Sequence, residues 1–171
     1  MILDGRIWVL DDDDINTDVI YPGKYTYEPF GPEEMAKHAL EDFDPDFASK
    51  VEEGDIIVAG RNFGCGSSRE QAVTSLKFAG IRAIVAESFA RIYYRNAINQ
   101  ALVVIDCADA SRFARKNKEK VHGSRARIDT GNGRLEILGE EFSFVPLSGK
   151  ALEIFDAGGL VEYTKRRLAS S

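Results

Sequence analysis

The residues best suited to chemistry lie in one short segment, Arg61–Gln71, which reads Arg-Asn-Phe-Gly-Cys-Gly-Ser-Ser-Arg-Glu-Gln. If a helix begins within it, free backbone N–H groups and the positive end of the helix dipole would attract an anion. The guanidinium of Arg69 could bind a carboxylate or phosphate through two parallel hydrogen bonds. The spacing of Ser67 and Glu70 equally fits a capping box, and the two glycines equally fit a tight turn. The segment therefore predicts an anion site, a helix cap, or both.

Three well-known glycine-containing motifs do not fit this segment. No Gly-Lys-Ser or Gly-Lys-Thr occurs in the chain, which excludes a Walker loop. Arg69 stands where the third glycine of a dinucleotide-binding fingerprint belongs. Neither Ser67 nor Ser68 has the second flanking glycine of a nucleophile elbow.

The acidic run Asp11–Asp14 resembles a calcium loop in its alternate spacing only. Thr17 stands where such a loop requires glycine, and Gly23 stands where it requires the bidentate glutamate. We therefore expect solvated carboxylates at a strand end and no metal site.

The remaining reactive side chains leave alternatives open. His38 and His122, the only histidines, belong to no catalytic or metal-binding pattern. Cys65 is either a thiol activated by a helix dipole or a small residue in a tight turn. Arg91 and Arg95 are four residues apart, so they either add positive charge to a site or lie on a solvated helix face.

The elements around these residues alternate between strands and helices. The β-branched runs Asp55–Ala59, Ile81–Ala86 and Ala101–Ile105 predict strands, and Arg69–Ala79 and Phe89–Asn99 predict the helices between them. Strands and helices that alternate at this spacing form a βαβαβ unit with a parallel sheet. The segment Arg61–Gln71 would then link the first of these strands to its helix.

The flanking segments complete an α/β fold. A first strand, Ile2–Leu10, precedes a long loop from Ile15, a helix after Pro32 and a short helix over Pro45–Val51. A helix over Ala108–Lys118 precedes three short strands that alternate with period two, and Thr-Gly-Asn-Gly between the first two predicts a hairpin turn. These strands are Arg125–Asp129, Arg134–Leu138 and Glu141–Val145. Helical residues follow from Ser148 and are interrupted at Gly158-Gly159.

Composition limits the class of protein. The chain has 171 residues, of which 44% are hydrophobic, and a net charge of −6. We expect one domain over residues 1–171, no nucleic-acid partner and no membrane span. Cys65 and Cys107 have neither zinc nor disulfide spacing and predict reduced thiols in a cytoplasmic protein.

Taken together, Asn62–Glu70 and Gly80–Asn99 resemble the small subunits of 3-isopropylmalate dehydratase, which belong to the aconitase superfamily. Asp14–Tyr25 and Gly54–Gly60 fit the same family. The resemblance covers most of Met1–Asp106, and the combination of motifs is far more specific than the Gly-Ser-Ser-Arg piece alone.

The resemblance implies a swivelling β/β/α domain, similar to domain 4 of aconitase, that closes over a large subunit. The large subunit would carry a [4Fe–4S] cluster, whereas this chain would hold neither metal nor cofactor. Ser67 would be the catalytic base, and Ser68 and Arg69 would bind a substrate carboxylate. The implied enzyme is a hydro-lyase that acts on a small dicarboxylate or tricarboxylate and converts 2-isopropylmalate to 3-isopropylmalate in leucine biosynthesis.

Two positions depart from the family pattern. Gln71 replaces a histidine found in many relatives, and the loop Tyr25–Glu28 reads Tyr-Thr-Tyr-Glu where relatives often read Tyr-Leu-Arg-Thr. Tyr25, Thr26 and Tyr27 are expected to contact the substrate. Their altered chemistry leaves homoaconitate, dimethylmaleate and citraconate hydro-lyases open as alternatives, together with a non-catalytic anion-binding module.

Overall fold

A computed structural model describes residues 1–171 and contains seven strands. The strands are β1 (Ile2–Val9), β2 (Ile56–Ala59), β3 (Ala83–Ala86), β4 (Val103–Asp106), β5 (Arg125–Asp129), β6 (Arg134–Ile137) and β7 (Glu140–Ser143). The helices are α1 (Thr17–Ile20), α2 (Pro32–Lys37), α3 (Phe47–Lys50), α4 (Gln71–Ala79), α5 (Arg91–Asn99), α6 (Ala108–Lys116), α7 (Lys118–Val121), α8 (Gly149–Ala157) and α9 (Leu160–Ala169). A 3₁₀ turn covers Gly23–Tyr25. None of the helices is both long and apolar enough to cross a membrane.

All seven strands belong to one sheet in the order β4-β3-β2-β1-β5-β6-β7. The first four strands of this order are parallel, and the last three join β1 through antiparallel pairs. The expected α/β class, with a parallel βαβαβ unit and antiparallel strands near the C-terminus, is confirmed. The hairpin turn predicted at Thr130 joins β5 to β6, and Asp129 accepts hydrogen bonds there from the N–H groups of Gly131 and Asn132.

Helices cover both faces of the parallel part of the sheet. Strand β2 is completely buried: Ile57 and Ala59 belong to the core beneath α4 and α5, whereas Ile56 and Val58 belong to the core beneath α6. Successive side chains of a strand point to opposite faces, so a strand covered on both sides needs apolar residues throughout. This explains why the parallel strands appear in the sequence as continuous β-branched runs.

The prediction of a long loop from Ile15 is wrong at one point, because α1 forms there. The side-chain oxygen of Asn16 accepts the N–H of Val19 at 2.9 Å and thereby caps this four-residue helix. The helix predicted over Ala108–Lys118 ends two residues early, and the short α7 follows it.

Candidate active site

The site lies where three parallel strands end at one edge of the sheet. The segments that follow β1, β2 and β3 continue side by side beyond the strands. Gly64 N–H donates to the Ile15 carbonyl at 2.8 Å, and Ala90 N–H donates to the Phe63 carbonyl at 2.9 Å. Thr17 N–H donates to the Cys65 carbonyl at 2.8 Å. These bonds fix the serine-containing loop at the carboxyl edge of the sheet, where α/β folds commonly bind ligands.

Gly64 allows this loop to approach α5 closely. Its φ is +80°, and a Cβ at this position would overlap the side chain of Tyr93. The Tyr93 hydroxyl donates to the Ala72 carbonyl at 3.0 Å, so this hydrogen bond holds the far end of the ring in place. No residue with a side chain fits here, and the turn interpretation of this glycine is confirmed.

A cleft of about 460 Å³ opens between the loop and the first turn of α5. It is lined by Thr17, Asn62, Gly64, Gly66, Ser67, Ser68, Arg69, Phe89, Ala90, Arg91, Ile92, Tyr93 and Asn96. Ser67 and Ser68 are exposed in it. The cleft wall contains two arginines and no carboxylate, and this charge distribution favours an anionic ligand.

The helix that presents its N-terminus to the cleft is α5. Helix α4 begins only at Gln71, and no side chain caps it. The capping box expected from Ser67 and Glu70 is therefore wrong, because Ser67 lies four residues before the helix. The helix-end argument for anion binding applies to α5, whose first residues line the cleft.

Arg69 ties the serine loop to the segment around α1. Its Nη2 donates to Asp18 Oδ1 at 2.8 Å and to the Tyr21 carbonyl at 2.9 Å, and its Nη1 donates to Thr26 Oγ1 at 3.1 Å. The Arg69 side chain is only 11% exposed. Three of its five N–H donors are thus occupied within the chain.

The chain is similar to known proteins over almost its whole length. Residues 3–110 match the family model described as the aconitase C-terminal domain. A 3-isopropylmalate dehydratase small subunit from Methanopyrus kandleri is 48% identical over 96% of this chain and 94% of its own length. The chain belongs to the aconitase C-terminal domain family. The resemblance drawn from Asn62–Glu70 and Gly80–Asn99 is confirmed.

Two other members of the aconitase C-terminal domain family are similarly close to this chain. A methanogen homoaconitase small subunit from Methanothermobacter thermautotrophicus is 47% identical over 95% of this chain and 90% of its own length. A crystal structure of 3-isopropylmalate dehydratase from Methanocaldococcus jannaschii is 43% identical and has a TM-score of 0.87, covering 99% of this chain and 96% of that one. The aconitase-type fold expected from the sequence is therefore confirmed.

The loop that departs from the aconitase-family pattern lies beside the cleft and does not line it. Thr26 joins the site through Arg69, and its carbonyl also accepts the side-chain N–H of Gln71 at 3.2 Å. Gln71 thus holds this loop. Tyr27 is 98% exposed and contacts nothing that would fix it.

Tyr25 points away from the cleft. Its hydroxyl donates to Glu41 Oε1 at 2.8 Å, and its ring stacks on His38 with 4.0 Å between centroids. The hydrogen bond to Glu41 raises the pKa of Tyr25. Burial opposes ionisation of Glu41, but hydrogen bonds from His38 and Tyr25 outweigh it and lower the pKa of that carboxyl. The structure thus brings Ser67, Ser68 and Arg69 together and leaves Tyr25 in a separate aromatic cluster.

Two other candidates from the sequence, Cys65 and the acidic run Asp11–Asp14, have neighbours in the structure that decide their chemistry. Burial, with a smaller contribution from the charge of Asp14, raises the pKa of Cys65, so its thiol is not activated. Asp13 is paired with Arg61 and Arg115 at 3.1 Å each, and the Arg61 N–H chiefly lowers its pKa. The expectation of purely solvated carboxylates is wrong for Asp13.

Two cleft residues received no firm role from the sequence. Arg91 begins α5 and lines the cleft, whereas Arg95 on the next turn does not. Thr17 lines the cleft from α1. Arg91 could have been singled out because it begins the helix that follows β3, at the edge where the serine loop also emerges. Thr17 gave no such signal.

Proposed function

We propose that this chain is the small subunit of a hydro-lyase that interconverts 2-isopropylmalate and 3-isopropylmalate through an unsaturated intermediate, with Ser67 as the base. The observation that carries the proposal is the cleft itself. It combines an exposed serine, two arginines and an uncapped helix N-terminus, and it contains no carboxylate that would repel a dicarboxylate.

Ser67 has the freedom that a base requires. Its hydroxyl is exposed and has no hydrogen-bond partner in the chain, so it can approach the carbon beside a substrate carboxylate. In the dehydration, the Ser67 alkoxide would take the proton, the C–H electron pair would form the C=C bond, and the neighbouring C–O bond would break with its electron pair on the oxygen, which departs as hydroxide. Nearby guanidinium groups and helix N–H groups would stabilise the serine alkoxide.

Ser68 and Arg69 would bind one substrate carboxylate. Ser68 adjoins the base and has no partner within the chain, and Arg69 retains two free N–H donors. Because Asp18 and the Tyr21 carbonyl hold the guanidinium in place, its orientation is set before the substrate arrives. Preorganised donors of this kind contribute more than mobile ones, since they lose little freedom on binding.

The cleft is only part of a catalytic site. None of its lining residues is an aspartate, glutamate, histidine or cysteine, and the Tyr93 hydroxyl is already bonded to Ala72. The cleft therefore offers no carboxylic acid, imidazole or thiol that could protonate the departing hydroxyl, and we assign that role to the large subunit. An iron–sulfur cluster does not fit this chain either, because no three His, Cys, Asp or Glu side chains are grouped to hold a metal ion.

A homoaconitase-type small subunit is the second candidate. The methanogen relative of that name is about as similar to this chain as the isopropylmalate relatives are. Thr26 also stands where the Tyr-Leu-Arg-Thr loop has the leucine expected to meet an isopropyl group, and its hydroxyl makes that position more polar. In both cases we place Thr26 and Tyr27 close to the distal end of the substrate once the large subunit is bound, whereas Tyr25, expected from the sequence to contact the substrate, is held by Glu41 and His38 outside the cleft.

Reconstitution tests the reaction and separates the two candidates. The full chain, mixed without oxygen with the large subunit encoded in the same genome, should convert one of the two hydroxy acids, followed by the ultraviolet absorbance of the conjugated intermediate. Turnover of isopropylmalate supports the first candidate, and turnover of homoaconitate supports the second. Turnover of neither by an assembled complex would refute the proposed reaction.

The variant Ser67→Ala tests the base. We expect kcat to fall by about 10²- to 10⁴-fold, because a positioned general base contributes that much, while the complex still assembles. Ser49→Ala is the matched control, since Ser49 lies on the surface of α3 and donates only to the Asp46 carbonyl. A Ser67→Ala complex as active as the control would exclude Ser67 from the mechanism.

A further inference from the structure

We propose that Arg91, the first turn of α5 and the Thr17 hydroxyl form a second carboxylate subsite in the cleft that Ser67–Arg69 also line. The subsite would hold the other carboxylate of a dicarboxylate, so that Ser67 faces the carbon chain between the two. The identity of the anion as substrate rests on the proposed function. The existence of an anion site rests only on this chain.

The two arginines of the cleft differ in what they already bind. Arg69 is nearly buried and has three acceptors. Arg91 is exposed, and no hydrogen bond or ion pair within the chain involves it. Most other arginines near this edge of the sheet are paired, including Arg61, Arg112 and Arg115. Arg91 is therefore the unpaired cation of the cleft.

The helix that begins at Arg91 adds donors to this charge. Helix α5 is nine residues long, and its N-cap is Ala90, whose side chain cannot accept a hydrogen bond. The first backbone N–H of this helix that has a hydrogen-bond partner is that of Tyr94, which donates to the Ala90 carbonyl at 3.0 Å. The preceding N–H groups of the first turn thus have no partner, and the residues that carry them line the cleft.

Thr17 provides an independent indication of a missing ligand. It is only 3% exposed, it lines the cleft, and its Oγ1 has no hydrogen-bond partner. A buried hydroxyl without a partner is unfavourable and calls for an explanation. The unfilled space beside it is provided by Gly66, where an added Cβ would lie 3.4 Å from Thr17 Oγ1. An anion in the cleft would supply the acceptor that this hydroxyl lacks.

A dicarboxylate requires two anion sites, and the cleft offers two that differ in character. The Arg69 site is fixed in place by Asp18, whereas Arg91 is an exposed cation without a partner at the start of α5. Each charged hydrogen-bonded contact of this kind changes affinity by about ten- to a hundredfold. Neither site alone could bind both carboxylates of such a ligand.

Malonate binding to the isolated full-length chain tests the subsite directly. We expect malonate to shift the NMR signals of the Arg91, Ile92 and Tyr93 amides, with saturation by about 100 mM for a site of millimolar affinity. Arg91→Gln and Thr17→Val should each weaken this binding by about tenfold or more. The matched controls are Arg95→Gln, one turn further along α5, and Thr164→Val, whose hydroxyl donates to the Leu160 carbonyl on the surface of α9.

The outcomes separate the subsite from the reaction. Absence of shifts at these amides, or wild-type malonate affinity in Arg91→Gln or in Thr17→Val, would overturn the subsite. The amide spectrum of each variant reports whether it folds, and Thr17→Ala, which also removes the hydroxyl, replaces Thr17→Val if the latter does not fold. In the reconstituted complex, Arg91→Gln should raise KM about tenfold while Arg95→Gln does not. A complex without turnover alongside intact malonate binding would refute the proposed reaction and leave the anion site standing.

Discussion

Replacing Gly64 by alanine should be far more damaging than the same change at Gly66, although both lie in one loop and both have positive φ angles. Gly64 has φ +80° and Gly66 has φ +97°. In each case the left-handed backbone costs about 1–2 kcal/mol for a residue with a Cβ. At Gly66 the new methyl has room, because its closest neighbour is Thr17 Oγ1 at 3.4 Å.

At Gly64 the methyl has no room, and the obstacle cannot yield easily. It would overlap Tyr93, which is buried and whose hydroxyl is held by the Ala72 carbonyl. Overpacking of a core adds about 1–3 kcal/mol. We therefore expect Gly64→Ala to lose about 2–5 kcal/mol in total, a large fraction of the roughly 5–15 kcal/mol typical of a folded domain.

Urea unfolding followed by circular dichroism measures this difference. With a slope of about 2 kcal/mol/M, Gly64→Ala should lower the midpoint by about 2 M, and Gly66→Ala by less than about 1 M. Gly158→Ala is the matched control, since Gly158 has φ +89° and no atom near the position of a Cβ. If Gly64→Ala were no more destabilising than Gly158→Ala, the close approach of this loop to α5 would be disproved.

Two further predictions concern the site and the pH dependence of stability. Asp18→Asn should raise KM by several-fold with little change in Tm. Asp18 is mostly exposed, so its ion pair with Arg69 adds little stability and serves mainly to orient the guanidinium. An unchanged KM in steady-state assays of the complex would contradict this positioning role. Burial chiefly lowers the pKa of His122, whose Nδ1 accepts the Val9 N–H at 3.1 Å. The stability that comes from keeping this ring neutral is therefore fully present above about pH 6.5 and is lost as the pH falls through the folded-state pKa. Thermal melts between about pH 7.5 and pH 5 should show a smaller decline for His122→Asn than for the wild type, and parallel curves would refute the assignment.

The sequence was informative where local pattern and tertiary structure agree. Strands β2, β3 and β4 are short β-branched runs because helices cover both of their faces, so their type was predictable from composition alone. Their position also placed the serine loop at the carboxyl edge of the sheet. The assignment of residues 1–171 to one domain, and the roles of Ser67, Ser68 and Arg69, stay predictions.

The parts that could not be predicted depend on contacts between distant residues. The partner of Arg69 is Asp18, which lies 51 positions earlier in the chain. Arg91 and Arg95 have the same local spacing, and only the packing of α5 against the serine loop brings one of them into the cleft. The stacking of Tyr25 on His38 likewise joins two segments, and no pattern in the sequence predicts that they are in contact.

The central position of β1 affects how the chain can fold during synthesis. β1 pairs in parallel with β2, but its other edge pairs with β5, and Ile2 lies opposite Asp129. At a synthesis rate of about 5–20 residues per second, the ribosome needs at least about 6 s after the first strand to make its second partner. The parallel half of the sheet can assemble earlier, but it then presents the bare edge of β1, which is prone to pair with other chains. The C-terminal strands therefore cover this edge only once they are made, and a chain truncated before Arg125 would leave it bare.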